Sequence, residues 1–226
     1  MSSKNNYFGE GIIFTISDYF LYFFMASIYF GVVNIPLILY LIITSKDPSL
    51  DSKLFMFIAL IPVFPATSAL LSVMGKLFRK KSVNVTKSFF KAYKDNFIIS
   101  IKVGIIQVCL LGIFYIEGLY IDSIGNLQFF RYLIGILTFI CIVINFYLLA
   151  IISRFYIRIF DLYKLSIYYL IRKPYIGVVG ICVLYLLGFV TYKLSFLLSL
   201  YFTSLLGYFV MNMMNDTLVA LESRIR

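Results

Sequence analysis

Histidine and tryptophan are both absent from the 226 residues, and aspartate and glutamate together number only 10. Without imidazole and with so few carboxylates, the usual ligands for zinc or iron and the usual general base near neutral pH are missing. Cysteine is scarce too. Cys109, Cys141 and Cys182 each lie inside an apolar run with no CxxC spacing, and read as buried packing residues. Neither GxGxxG nor GxxxxGK[ST] occurs, so nucleotide chemistry has no cradle. These gaps predict a protein that is not an enzyme, with no catalytic residues, no cofactor and no metal site.

What is abundant is apolar surface. Hydrophobic residues make up 62% of the chain and charged residues 13%, with a mean hydropathy of +0.97, against about 45–50% apolar and about 25% charged in soluble domains. The expected fold is all-α: a polytopic transmembrane helical bundle, a single domain over residues 1–226, with about six spans and two amphipathic cytoplasmic helices. Apolar runs of membrane length cover residues 19–43, 54–75, 97–121, 129–152, 174–192 and 194–213. Only Lys193 separates the last two, so they form either a tight hairpin or segments that do not both cross. The first ten residues have no short apolar stretch with a cleavage site, so the first span is expected to stay as an anchor.

The net charge of +10 follows topology. Fifteen Lys and Arg fall on the N-terminal tail, the second and fourth connections and the C-terminal tail, against four on the other side, with Lys102 just inside span three. This asymmetry predicts that both termini are cytoplasmic. Membrane lipids are expected partners of the basic side, and no motif points to nucleic acid. Both basic connections read as helices. In residues 153–171, Arg154, Arg158, Asp161 and Lys164 fall on one narrow stripe. In residues 86–102, Thr86 is positioned to cap the start, and the helix should run on into span three, since no Gly or Pro intervenes before Gly104. Phe89, Phe90, Tyr93, Phe97, Arg154 and Arg158 are the expected contacts to lipid or to a partner protein, because amphipathic helices lie in the headgroup plane or in a partner's groove.

Polar residues at membrane depth are functional candidates. Glu117, near the outer end of span three, has Arg131 across a short loop as its expected ion-pair partner. Asn34, Gln107, Asn145, Thr191, Asn212 and Asn215 are expected to bond between helices. Asn34 precedes Pro36, which favours a kink. Pro62 and Pro65 should distort span two, while Ala66, Thr67, Ser68, Ala69, Ser72 and Gly75 make its second half suited to close helix packing.

The same stretch carries a resemblance. Pro65-Ala66-Thr67-Ser68-Ala69-Leu70, the basic Lys76-Leu77-Phe78-Arg79 and the block Ser88-Phe89-Phe90-Lys91-Ala92-Tyr93-Lys94-Asp95-Asn96-Phe97 resemble the YesL family of bacterial integral membrane proteins. The chain departs from the family in having no Leu-Leu-Trp cluster in its first span. The resemblance implies a multi-pass protein of the bacterial plasma membrane, with no known biochemical activity, in the setting of carbohydrate ABC transporters of Gram-positive bacteria. A non-catalytic accessory or regulatory subunit, partnered by transporter permeases, is therefore the functional expectation. The alternative is a small stand-alone membrane transporter or channel.

Overall fold

In the computed structural model, which describes residues 8–47, 53–124, 128–193 and 196–225, the chain is all-helical, with no strand among the described residues. Among the described residues nine helices follow in order: α1 (Phe8–Val33), α2 (Ile35–Lys46), α3 (Lys53–Leu60), α4 (Val63–Lys80), α5 (Val85–Ile124), α6 (Gln128–Ile152), α7 (Ile159–Arg172), α8 (Pro174–Lys193) and α9 (Phe196–Ile225). Three stretches among the described residues are long and apolar enough to cross a membrane: Lys53–Lys80, which joins α3 and α4, Val85–Ser123 and Gln128–Ile152. The bent pair α1–α2 would make a fourth if it counts as one span. The six expected crossings are thus matched for three. The junction between the fifth and sixth falls at residues 194–195, outside the described residues.

The breaks between helices have local causes. The expected span at 19–43 is two helices bent by 73° about Asn34. Pro36, in the first turn of α2, lacks an amide donor, so the α1 ladder cannot continue through it. The Asn34 side chain closes the end of α1 by donating to the Phe30 carbonyl at 2.9 Å. It therefore bonds within its own helix and not across to another. A second break falls at Ile61 and Pro62, where Ile61 and Phe64 donate back only three residues. α4 ends on Lys81 in the left-handed region, φ 59°, which turns the chain sharply toward α5. Asn84, not Thr86, caps α5: its side-chain oxygen accepts from the Lys87 amide at 3.1 Å. The Thr86 hydroxyl instead meets the Tyr29 phenol at 2.7 Å.

α5 is 40 residues long, about 60 Å at 1.5 Å per residue, roughly twice the thickness of a hydrocarbon core. Its first turns project at the end of the bundle that carries Lys76, Arg79, Lys80 and Lys81, called here the basic end. α7 begins later than the expected 153–171 helix, at Ile159, because 153–158 form a turn and an extended strap. The stripe of Arg154, Arg158, Asp161 and Lys164 is accordingly split between two structures.

α4 is the hub. Eleven of its 18 residues are buried, and it packs against α1, α5, α6 and α9. Its direction is opposite to that of α5, since Ser68 meets Ser100 and Phe64 meets Gly104. Leu70, Met74 and Leu77 from α4, Phe89 from α5, Tyr147 and Leu148 from α6, and Met211 and Met214 from α9 are among the largest fully buried side chains.

Candidate functional site

Three features carry polar or close-contact chemistry, and the first is the small-residue face of α4. Ala66, Ser68 and Ala69 are fully buried, and Pro65, Ser72 and Gly75 are buried with them. The Ser100 hydroxyl donates to Ser68 at 3.0 Å, and Ser68 donates to the Pro65 carbonyl at 3.1 Å. A methyl group placed on Gly75 would lie 2.6 Å from Met211 Cε, the flexible end of a side chain from α9, so α9 packs directly over this glycine. Thr67 is half-buried and donates to Val63 at 2.6 Å, and half-buried Pro62 stands just before the first turn of α4. Interhelical approach through small residues is the usual basis of packing where lipid removes the hydrophobic drive.

The second feature is a buried polar cluster joining α5, α6 and α7. Gln107 is 1% exposed. Its amide nitrogen donates to the Tyr163 phenol at 3.1 Å, and its oxygen accepts from Cys141 Sγ at 2.8 Å and from Asn145 Nδ2 at 3.3 Å. Asn145 also donates to the Cys141 carbonyl at 2.9 Å, and its own oxygen is buried without a partner. Burial pushes the Tyr163 phenol up, with the Gln107 hydrogen bond acting against it, so the neutral phenol is the form that holds the cluster. Below the cluster, Tyr147 donates to the Lys173 carbonyl at 2.6 Å and accepts from the Gly177 amide at 3.2 Å, locking α8 to α6. Methyl groups on Gly177 or Gly180 would overlap Val143 or come within 2.7 Å of the Phe146 ring. The spacing Gly177-x-x-Gly180 was the available sequence signal for this contact.

Of the three cysteines, Cys141 alone is buried; Cys109 and Cys182 are exposed. A uniformly apolar helix does not tell which of its faces turns inward, and here those two face out.

The third feature is the spread of the expected partner contacts. Phe89 is fully buried, stacked against Tyr93 and beneath Tyr29, so it belongs to the core and not to a docking surface. Its neighbour Phe90 is 46% exposed and Phe97 is also exposed, while Tyr93 is half-buried. Arg158 is exposed just before α7. Arg154 turns inward and pairs with Glu222 of α9, its side chain 13% exposed. The turn after α6 tips Arg154 off the helical stripe, which is why spacing alone misplaced it. Its second guanidinium nitrogen, Nη1, is buried without a partner.

At the opposite end, α5 and α6 form a hairpin whose outer parts are exposed nearly all round. Ile116, Leu119, Tyr120, Phe129, Tyr132 and Ile136 each leave about half or more of their surface uncovered. Gly118 and Gly135 have open space where a methyl group would go. The expected Glu117–Arg131 pair does not form. Arg131 pairs with Asp122 at 3.2 Å, both well exposed. Asp122 stands closer to the loop that Arg131 follows, whereas Glu117 lies more than a turn farther down α5 and is itself exposed.

Among the described residues no group of three or more Cys, Asp or Glu could hold a metal ion. A family model described as a protein of unknown function, DUF624, matches residues 12–117, from within α1 to the lower part of the hairpin. The matched stretch contains the α4 hub and the aromatic and basic block at the start of α5. Comparison with curated proteins and with solved structures produces no match.

Proposed function

We propose that this chain is a non-catalytic accessory or regulatory subunit of a larger membrane complex, and that its resemblance to the YesL family points to a carbohydrate ABC transporter in the plasma membrane of a Gram-positive bacterium. The observation that carries the reading is the uncovered α5–α6 hairpin. A span packed only on one side needs nothing but lipid, yet this hairpin also exposes Glu117, about 10 Å below its tip at 1.5 Å per residue. A carboxylate at membrane depth is costly unless a partner meets it. A permease helix carrying Lys, Arg or a hydrogen-bond donor supplies that partner, and Gly118 and Gly135 leave room for its backbone. In this reading both termini and the basic end lie in the cytoplasm, as the distribution of Lys and Arg favours.

The alternative, a stand-alone transporter or channel, calls for a hydrophilic route. The cleft between the central helices is lined chiefly by apolar side chains instead. The test is capture of tagged full-length chain from its own host in nanodiscs, with mass spectrometry of what accompanies it. Permease subunits should be enriched with the natural chain and reduced with Glu117→Gln. Sugar or ion movement by the purified chain alone in liposomes, abolished by Glu117→Gln, would make it a transporter and overturn the reading. For the orientation, single cysteines at positions 80 and 164 should resist labelling from outside intact cells.

A further inference from the structure

Helix α7 buries Leu162, Ser166 and Tyr169, packing against α6 and α8. A helix covered on one side and wet on the other turns polar residues outward. α7 does the reverse. At about 100° per residue, Phe160, Ile167 and Ile171 fall within about 40° of one another on the side opposite the buried one. Phe160 and Ile171 leave 72% and 75% of their surface uncovered. The row runs on past the α7–α8 junction into exposed Tyr175 and Val178, so it is a continuous apolar surface and not a scatter of single side chains.

The two flanks of the row differ. One carries Tyr163, whose phenol meets Gln107, and Gln107 lies well inside the membrane-length stretch Val85–Ser123. That flank therefore faces the bilayer interior. Asp161 and Arg172, both exposed, lie on the far side of the helix from Tyr163. Bundle, acyl chains and headgroups thus each have their own side, as a helix lying in the headgroup plane requires. Charge agrees. Over residues 158–173, Arg158, Lys164, Arg172 and Lys173 stand against Asp161 alone. Lys164 Nζ lies 4.9 Å from the centre of the Phe160 ring and Arg172 Cζ 5.3 Å from that of Tyr168, so their aliphatic stems border the row and their charges sit at its edge. Among the described residues neither makes an ion pair.

We propose that α7 lies in the headgroup plane and holds anionic phospholipid, with acyl chains along Phe160, Ile167 and Ile171 and phosphates at Lys164 and Arg172. Lipid answers both features at once, since acyl chains cover the row and phosphates neutralise its edge. A partner protein's groove would have to displace the bilayer from beside α8 as well. The proposal is independent of the accessory-subunit reading, which rests on the α5–α6 hairpin.

The chain has no tryptophan, so Phe160→Trp and Ile171→Trp each give a single reporter in the full-length protein. In nanodiscs their emission should be quenched by lipids brominated on the acyl chain and be little affected by aqueous iodide. Asp161→Trp, on the headgroup side, should show the larger response to iodide. At equal mole fraction, brominated phosphatidylglycerol should quench Ile171→Trp more than brominated phosphatidylcholine does. Adding Lys164→Gln or Arg172→Gln should lower that preference about fivefold each, the weight of one basic side chain at an anionic surface, and added salt should lower it too. Reporters at 160 and 171 that iodide quenches and brominated lipid does not would overturn the placement and leave the row to a partner protein. Equal quenching of Ile171→Trp by the two brominated lipids would overturn the assignment to anionic lipid, with the helix immersed or not.

Discussion

The two ends of the α5–α6 pair are built in opposite ways. Toward the basic end, α5 runs against α4 and α6 against α8, with glycines at the contacts, hydroxyls paired between helices and Phe89, Val103, Tyr147 and Leu148 buried between them. Toward the hairpin tip the same two helices touch little but each other, and Gly118 and Gly135 face open space. Hydrophobicity does not by itself hold helices together in lipid, because lipid is as apolar as a leucine side chain. What separates the two ends is whether backbones approach closely enough for small residues and polar pairs to matter.

The sharpest way to break that contrast is to add one carbon at matched glycines. Gly177→Ala forces a methyl into Val143, a short branched side chain with little freedom to move. Overpacking of this kind costs about 1–3 kcal/mol, occasionally more, and a thermal melt in detergent should fall accordingly. Gly180→Ala, against the Phe146 ring at 2.7 Å, should behave alike. Gly118→Ala and Gly135→Ala should be neutral or raise stability by up to about 1 kcal/mol through helix propensity. A loss at the hairpin glycines as large as at Gly177 would erase the distinction.

Next in size is the inward ion pair. Arg154→Met removes the guanidinium from this pair and should cost about 1–2 kcal/mol, below the value for a fully buried pair because the Glu222 side chain is 39% exposed and Arg79 lies near it. A double-mutant cycle with Glu222→Gln should show coupling. Additivity of the two changes would place Arg154 back on the surface. By contrast Arg131→Gln, which breaks a pair exposed at both partners, should change stability by about 0–1 kcal/mol.

A smaller effect sharpens the comparison at α4. Ser100→Ala removes the donor to Ser68 while leaving Ser68 its bond to the Pro65 carbonyl, so about 1 kcal/mol is expected. Smallest of all should be Leu119→Ala at the hairpin. It should leave the melt of the isolated chain nearly unchanged, since the side chain is 54% exposed, yet weaken capture of a membrane partner. Unaltered capture would move the docking surface elsewhere.

Legibility in the sequence followed the range of the cause. Pro36 and Pro62 act on their own turn of helix, and both breaks fall beside them. The uninterrupted run from Thr86 to Lys102 continues into α5 without a stop. The cap expected at Thr86 is at Asn84, while the Thr86 hydroxyl meets Tyr29, a residue 57 positions away. Arg154 and Glu117 were misread for a related reason. Ion pairing was judged from sequence proximity and helical spacing, whereas Arg154 found its carboxylate 68 positions along the chain, and Arg131 found one nearer the loop.

By itself the sequence determined that the chain is helical, apolar enough for a membrane, short of catalytic groups and broken where proline removes an amide donor. Each of these depends on composition or on contacts within one turn. Only the tertiary structure decided that Phe89 is core while Phe90 is surface, that Arg154 points inward, that Cys109 faces out while Gln107 is buried, and that Asn145 keeps one oxygen unpaired. In a soluble helix the polar face marks the outside. In a chain apolar on every face that mark is missing, so the choice of inner face falls to the fit between helices.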